Sequence, residues 1–265
     1  MKVLTIVVPA FNVEHFIARA IERYSDARFS DKLEILFIDD GSTDGTKAMC
    51  EEAVARFPDM MRVISKTNGG HGSCINTGIR EARGTYFFIV DGDDWVCTEN
   101  LVKLLEILQT VTADIVCTKK REVEMHSSES RLFPLPANVK KSELQTLDTI
   151  LNQKEIVAYL SLHTCIFKTE IVQKNEISVL EHCFYVDYEY IVKAVCASNT
   201  IIFEDLEIYH YLVGNVNQSV SDEKMVERYE QHERVIDSLL DFYEKNENYR
   251  FFAKQKNRTS HKGAL

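Results

Sequence analysis

The first 118 residues alternate between short apolar runs and amphipathic stretches, and this alternation limits the folds open to the chain. The apolar runs are rich in Val, Ile and Phe and end in polar turn residues, as strands buried on both faces do. The stretches between them have the apolar period of helices. Because strands that alternate with helices pair in parallel, we predict an α/β fold with a mainly parallel sheet covered on both faces. The predicted strands are VLTIVV, LEILFID, MRVIS, TYFFIVD and ADIVCT, and the predicted helices begin after Asn12, after Ser42 or Thr43, at Gly72 and at Glu99.

After residue 118 the pattern becomes less regular. Residues 119–141 are polar and contain two prolines, which favours a hairpin or a loop. The later segments predict a helix in SELQTLDTILNQ, a strand and a helix in HTCIFKTEIVQKN, a helix in YVDYEYIVKAVCAS and a strand in TIIFEDLEIYHYLV. A long amphipathic helix is predicted from Glu223 to Lys245. No repeat or low-complexity linker divides the chain, so we expect one globular unit.

The composition excludes several classes of protein. With 45% hydrophobic residues among 265, the chain has enough apolar surface for one sizeable core. The formal net charge of −10 is not the basic footprint of a nucleic-acid-binding protein, so no nucleic-acid partner is expected. Seven scattered cysteines without a Cys-x-x-Cys motif favour neither a disulfide framework nor a zinc site. The apolar run at the N-terminus is too short for a signal peptide or a membrane span, so we expect a cytoplasmic protein.

The C-terminal residues differ in charge from the rest of the chain. From Asn246 onward there are five basic residues and one acidic residue, Glu247. Two interpretations stay open. The tail either contacts an anionic membrane surface, at the inner face of the plasma membrane, or is a solvated terminus. The residues that favour membrane contact are Arg250, Phe251, Phe252, Lys254, Lys256, Arg258 and Lys262.

Carboxylates follow two of the predicted strands at the point where each strand ends. Asp39 and Asp40 follow the second strand, and Asp91, Asp93 and Asp94 follow the fourth. Parallel strands bring their carboxyl ends to one edge of the sheet, so five carboxylates should converge there. They repel one another unless a cation or hydrogen-bond donors join them, and hard oxygen ligands suit Mg²⁺ or Mn²⁺. The alternative is that Asp-Gly-Asp-Asp is a polar turn that caps the next helix.

Four segments, VVPAFN, IDDGSTDGT, NGGHGSCINTGIREARGTY and FIVDGDDW, follow one another in the order and spacing of a known family. In them the chain resembles the family-2 inverting glycosyltransferases, which have the GT-A fold. The resemblance covers residues 3–110, and Thr164 to Ser221 more loosely. It implies a Rossmann-like sheet flanked by helices, with residues 1–118 as the nucleotide-sugar-binding half. It implies an acceptor-side half of the same globular unit at 119–221. The predicted amphipathic helix and the basic tail make up residues 222–265.

The resemblance also implies a donor site for a nucleotide sugar, most simply a UDP-sugar. A carboxylate at this site accepts the N3–H of uracil, and an aromatic or apolar wall covers the base. Asp91 and Asp93 match the family's Asp-x-Asp, with Asp93 as direct ligand of Mn²⁺ or Mg²⁺ and Asp91 nearer the ribose or the metal waters. His71 either contacts the ligand or makes a structural hydrogen bond. The implied nucleotide-sugar-binding residues are Pro9, Phe11, Asn12, Asp39, Asp40, Asn68, Gly70, His71, Asp91 and Gly92.

An inverting transfer needs a base that takes the proton of the acceptor hydroxyl. Asp187 aligns with the family's base, although Val186 replaces the Glu that precedes it. Glu189 is the alternative base, and Asp187 could also be a helix-start carboxylate only. The resemblance further suggests His210, Gln218 and Ser219 as residues that close over the diphosphate and acceptor. His163 and the other isolated histidines are assigned to core or surface positions.

The expected acceptor is a glycan, lipid-linked or protein-linked, in bacterial surface-polysaccharide assembly. The Gln-x-x-Arg-Trp motif of processive synthases is absent, since Trp95 is the one tryptophan, so a non-processive enzyme is expected. A nucleotidyltransferase is disfavoured because PAFNVEH lacks a Gly-rich basic loop for a triphosphate. A non-catalytic nucleotide-sugar-binding partner subunit stays open because of Val186.

Overall fold

The computed structural model of the chain describes residues 2–127, 129–214 and 228–246. In these ranges ten strands form one sheet. The strands are β1 (Leu4–Ala10), β2 (Leu33–Asp39), β3 (Met61–Ser65), β4 (Tyr86–Ile89), β5 (Trp95–Val96), β6 (Ile115–Glu124), β7 (Ser130–Phe133), β8 (Gln145–Thr146), β9 (Cys165–Lys168) and β10 (Thr200–Val213). The helices are α1 (Glu14–Tyr24), α2 (Thr46–Arg56), α3 (His71–Glu81), α4 (Thr98–Leu108), α5 (Leu147–Ile150), α6 (Lys154–Tyr159), α7 (Thr169–Lys174), α8 (Val186–Cys196) and α9 (Tyr229–Lys245).

The sheet has the strand order β3-β2-β1-β4-β9-β6-β10-β5, with β7 paired to β6 and β8 paired to β10. Strands β3, β2, β1 and β4 are parallel to one another. β9 lies antiparallel between β4 and β6, so the predicted fourth and fifth strands are not neighbours. The predicted α/β class is confirmed, and the parallel strands bring the loops after β1, β2 and β4 to one edge.

Two apolar cores cover the two faces of the sheet. Leu4, Ile6 and Val8 of β1 point into a core shared with α1, α2 and α4. Val7 points the other way, into a core shared with α3 and α8. All seven residues of β1 are buried, which explains why its sequence has no apolar-polar alternation. Each fully buried aliphatic side chain of this kind contributes about 1.5–3 kcal/mol to the free energy of unfolding.

The predicted helix caps at Asn12 and at Ser42 or Thr43 are wrong. α1 begins at Glu14 and α2 at Thr46, and neither has a side-chain cap from its own Ncap residue. The loops before the two helices instead bond to each other. Asn12 has a positive φ of 52° and its carboxamide accepts a hydrogen bond from the Thr43 N–H at 2.8 Å. The N–H of Glu14 donates to Asp44, which therefore caps α1 from the neighbouring loop.

The second half departs further from the local pattern. The segment predicted as a helix around residue 147 forms the short strand β8 and a single turn, α5. The predicted hairpin, the strand and helix β9 and α7, and the helix α8 are present. Of the predicted helix from Glu223 to Lys245, α9 covers the part that the structure describes. Gln218, Ser219 and the basic tail lie outside the described residues. Among the described helices, none has the length and apolar character needed to cross a bilayer.

Candidate active site at the carboxyl edge of the sheet

The loops after β1 and β2 form one side of the candidate site. Pro9 is buried near the end of β1, whereas Phe11, just beyond that strand, is 48% exposed. Asp39 is buried at the end of β2 and accepts a hydrogen bond from the Ser42 N–H at 3.0 Å. The structure thus brings these predicted nucleoside-binding residues, with Asn12, to the same edge. Phe11 presents an aromatic face that a nucleobase can stack on.

The Asp40 carboxylate is already hydrogen-bonded to several groups of the protein itself. Its carboxylate accepts hydrogen bonds from Lys66 Nζ at 2.6 Å and from the Gly69 and Gly70 N–H groups at 3.0 and 2.8 Å. The Asn68 side chain donates to the Asp40 carbonyl at 3.0 Å. These contacts anchor the loop before α3, where Gly70 has a φ of +82° that favours glycine. The contact of Asp40 with a nucleoside stays a prediction.

His71, the first residue of α3, faces the acidic loop after β4. Its Nε2 donates to Asp91 Oδ1 at 2.8 Å, and both side chains are half-buried. Burial lowers the pKa of His71, but the Asp91 carboxylate, with smaller contributions from Asp187 and Asp93, raises that pKa above its ordinary value. Burial in turn raises the pKa of Asp91, and the His71 charge outweighs it and lowers the Asp91 pKa. Both pKa shifts favour the ionised pair, and the structural hydrogen bond considered for His71 is present.

Asp93 and Asp94 have different surroundings although they are adjacent in sequence. Asp94 is 1% exposed and accepts hydrogen bonds from Tyr209 Oη at 2.6 Å and the Leu212 N–H at 2.7 Å. Asp93 receives no hydrogen bond from another residue in the described ranges. Burial, followed by the Asp91 charge, raises the pKa of Asp93 to about 6. Among the carboxylates of this loop, Asp93 is therefore the one that no other described residue hydrogen-bonds.

Gly92 allows this loop to pack closely on the end of β1. A Cβ atom at this position would lie 2.8 Å from the Pro9 carbonyl oxygen and 3.1 Å from a Val13 methyl group. A side chain there would push the Asp91 and Asp93 carboxylates away from the edge. Gly92 therefore acts on the site through backbone packing, and its contact with a nucleotide stays a prediction.

His163 joins the acidic cluster, although the sequence places it far from the other members. Asp91, Asp94 and His163 offer ligand atoms that all lie within 4.8 Å of one another. The His163 ring packs edge-on against Tyr209, with ring centres 4.8 Å apart, and its Nδ1 atom is buried without a hydrogen-bond partner in the described structure. Burial lowers the pKa of His163 to about 4, so the ring is neutral at physiological pH. Its interpretation as an isolated histidine is wrong, and no local sequence signal indicates this proximity.

Asp187 and Glu189 are two residues apart on α8 but face different environments. Asp187 is exposed in the first turn, and its charge reaches both His71 and His163. Glu189 is fully buried and accepts hydrogen bonds from Lys193 Nζ at 2.7 Å, from Ser238 Oγ at 2.6 Å and from the Leu180 N–H at 3.0 Å. These contacts commit Glu189 to holding α8 against α9, so Asp187 is the carboxylate accessible to a substrate.

Asp187 also lines a cavity of about 270 Å³ between α8 and the segment that leads from α6 to β9. The predicted residue His210 lies away from it, where its Nε2 donates to Glu207 Oε1 at 2.8 Å and its ring packs edge-on against Trp95. The candidate site therefore has a polar side around Asp91 and an apolar side beyond Asp187.

Solved structures of two glycosyltransferases have the same fold. The complex of Staphylococcus aureus TarS 1–349 with UDP-GlcNAc superposes with a TM-score of 0.67, covering 96% of this chain and 72% of that chain at 21% identity. The mannosyltransferase PcManGT from Pyrobaculum calidifontis, in complex with GDP-Man and Mn²⁺, superposes with a TM-score of 0.56 over 86% of this chain and 62% of that chain at 17% identity. The GT-A fold implied by the sequence resemblance is confirmed.

Sequence comparison gives the family. The uncharacterized glycosyltransferase EpsJ of Bacillus subtilis is 40% identical over 116 residues, which cover 44% of this chain and 33% of EpsJ. The chain thus spans about a third of that relative's length. The model of the family described as Glycosyl transferase family 2 matches residues 5–175, more than half of the chain. The chain therefore belongs to glycosyl transferase family 2.

Proposed function

We propose that this protein is an inverting glycosyltransferase that transfers a sugar from a UDP-sugar to an acceptor hydroxyl with the help of a divalent cation. The observation that carries the proposal is the meeting of Asp91 and Asp93, at the end of β4, with Asp187, at the start of α8, around His71. Family membership supports the class of reaction. The UDP-GlcNAc bound to TarS supports a uridine nucleotide as donor.

The acidic loop after β4 fits a divalent cation. Asp93 is a half-buried carboxylate that lacks a donor from another described residue and lies beside the charged Asp91. Carboxylate oxygens are the ligands that Mg²⁺ and Mn²⁺ prefer. Asp91 and Asp93 would hold the ion, with His163 available nearby, whereas both carboxylate oxygens of Asp94 already accept hydrogen bonds. When bound, such an ion offsets the negative charge that develops on the departing nucleoside diphosphate.

The protein's own residues bind the nucleobase, position the loops and accept the proton. Phe11 and Asp39 hold the nucleobase at the ends of β1 and β2, and Asp40 keeps the loop before α3 in place. His71 orients Asp91 through its hydrogen bond. Asp187 accepts the proton of the acceptor hydroxyl as that oxygen attacks the anomeric carbon from the face opposite the leaving group, which inverts the configuration.

The acceptor is proposed to be a glycan, lipid-linked or protein-linked, in surface-polysaccharide assembly at the cytoplasmic face of the membrane. The alternative is a non-catalytic nucleotide-sugar-binding subunit, which the replacement of the family's Glu by Val186 keeps in view. The two functions differ in one measurable respect. A catalytic chain hydrolyses or transfers the sugar of a UDP-sugar, whereas a binding subunit only retains it.

Calorimetric titration with UDP, in the presence and absence of Mn²⁺, tests the donor site. We expect UDP binding that requires Mn²⁺ and is at least tenfold weaker in Asp93→Asn, because that change removes a charged ligand of the ion. Asp59→Asn, at an exposed position outside the site, is the matched control and should bind UDP as the wild type does. Binding that is independent of Mn²⁺, or unchanged in Asp93→Asn, would contradict the metal-assisted mechanism.

A further inference from the structure

The cavity beside α8 has walls unlike those of a sugar-binding site. Seven of its eleven lining residues are aliphatic, among them Leu151, Val157, Leu162 and Ile191. A sugar ring needs several hydrogen-bonding side chains to replace the water around its hydroxyl groups. The hydroxyl of Ser161, one of the few polar groups in the wall, already shares a hydrogen bond of 3.1 Å with Thr164 Oγ1. The chemistry of the walls therefore favours an apolar occupant.

The cavity and the proposed reaction site share one residue, Asp187. Asp187, Ile191 and Val195 are spaced four residues apart, so they lie on one face of α8, and all three line the cavity. The lining residues of α8 extend from Asp187 to Cys196, a length of about 14 Å along the helix axis. One end of the cavity thus lies at the proposed base, and the other end lies well away from the nucleotide side.

The cavity also opens to the outside. Val157 is 46% exposed and Tyr188 is 61% exposed, so two of its walls reach the surface. Its volume of about 270 Å³ is slightly below the range of about 300–1,000 Å³ that is usual for a complete small ligand. It therefore suits a section of a longer apolar chain whose remainder extends beyond the opening.

We propose that this cavity binds the apolar chain of an amphiphilic acceptor and so seats the hydroxyl-bearing end of that acceptor at Asp187. The inference rests on the proposed function, because it takes Asp187 as the base. It narrows the acceptor to molecules that join a sugar or another hydroxyl-bearing head group to a hydrocarbon chain, as a lipid-linked glycan does. Burial of the chain supplies affinity, and the head group remains at the polar side of the site.

The test compares two probes with the same head group, octyl β-glucoside below its micelle concentration and methyl β-glucoside. Their dissociation constants are measured by calorimetry on the whole chain with UDP and Mn²⁺ present. Each buried methylene contributes about fourfold in affinity, so burial of even two or three predicts at least tenfold tighter binding of the octyl compound. Val192→Phe fills the cavity and Val157→Asp places a charge at its opening, and both should abolish this difference. Leu144→Asp, at an apolar position that is 55% exposed and does not line the cavity, is the matched control and should preserve it.

Equal dissociation constants for the two glucosides in the wild type would overturn the inference, as would an octyl preference that survives in both cavity variants. UDP binding in each variant shows separately that the fold is intact. Because the readout is binding and not turnover, failure of the cavity proposal leaves the UDP titration of the donor site unaffected. Failure of UDP binding would count against the proposed function even where the octyl compound binds.

Discussion

The two halves of the molecule build their sides of the site in different ways. In the first half, the loops after β1 and β2 lead directly from a parallel strand to the next helix, and the loop after β4 leads to the short strand β5. In the second half, β9 is inserted antiparallel between β4 and β6, and α8 is held in place by α9, which lies about forty residues later. The proposed donor side is therefore built on strand–helix units that are continuous in sequence, whereas the proposed acceptor side depends on packing between distant segments.

One contact between the halves runs along the start of α3. The His182 N–H donates to the Gly69 carbonyl at 2.7 Å, and the Asn76 side chain exchanges two hydrogen bonds with the backbone of Val179, both of 2.9 Å. Gly72 lies so close to Leu180 that a Cβ atom would be 2.0 Å from the Leu180 carbonyl oxygen. This seam, formed by Gly69, Gly72 and Asn76 with residues 179–182, connects the His71–Asp91 pair to the segment that leads into α8 and Asp187.

The largest expected effect is on turnover and comes from a change on the proposed acceptor side that leaves the proposed donor side intact. Asp187→Asn removes the proposed base, and general-base catalysis is worth about 10²- to 10⁴-fold in rate, so we expect kcat to fall by that factor. UDP affinity should stay within about twofold, because Asp187 lies outside the nucleotide loops. Steady-state kinetics measures kcat, and titration with UDP measures the affinity separately. Glu170→Gln, a first-turn carboxylate of α7, is the control, and a kcat of Asp187→Asn equal to that of the wild type would refute the base assignment.

The second effect is on stability, and it tests whether Glu189, unlike Asp187, has a structural role. Lys193→Met leaves the Glu189 carboxylate buried without its cation, which should lower the free energy of unfolding by about 3–5 kcal/mol in urea denaturation. The double variant Glu189→Leu/Lys193→Met should recover most of that loss, because it buries no charge. Lys174→Met breaks an exposed pair with Glu170 at the same spacing and should cost less than about 1 kcal/mol. Equal losses in the two single variants would contradict the structural assignment of Glu189.

The third effect tests the seam itself. Gly72→Ala forces the seam apart, and we expect the free energy of unfolding to fall by about 1–3 kcal/mol, as for other overpacked sites. Turnover should fall as well, since the displaced segment leads to Asp187. Gly78→Ala meets the side chain of Val7 within the first half and should reduce stability alone. If Gly72→Ala and Gly78→Ala reduce turnover equally, the contact at Gly72 does not position Asp187 for the reaction.

The smallest effect is a pH dependence of the free energy of unfolding, caused by Asp205 in the second half. Hydrogen bonds from Lys119 and Lys141 lower the pKa of Asp205 to about 2. The Asp205 pKa is lower in the folded than in the unfolded state. The ionised Asp205 therefore contributes fully to the free energy of unfolding above about pH 4, and this contribution is lost as the pH falls towards 2. The side chain is 48% exposed, so we expect less than about 1 kcal/mol. Urea denaturation from pH 5 to 2.5 should show a smaller loss of stability in Asp205→Asn than in the control Asp59→Asn. If the free energy of unfolding changes equally with pH in the two variants, Asp205 makes no such contribution.

Much of the first half could be predicted from local patterns. The strands LEILFID and MRVIS have the predicted bounds, because an apolar run between polar turns can be buried on both faces in few other ways. The helix starts near Asn12 and Ser42 were misplaced, since those side chains bond across the two loops and not to their own helices. The polar partners of Asp40 were also not predictable, because Lys66 and Gly70 are distant in sequence and meet it only at the sheet edge.

The sequence by itself determined the strand and helix alternation, the edge at which the acidic loops meet, and the family. These follow from apolar periodicity and from the parallel arrangement of β1, β2 and β4, which depend on short segments. Only the tertiary structure decided which acidic residues are accessible. It places His163 beside Asp91 through the insertion of β9, and it buries Glu189 under α9 while Asp187 stays exposed. The physical reason is that burial and charge compensation depend on contacts between segments far apart in the chain, which no local pattern specifies.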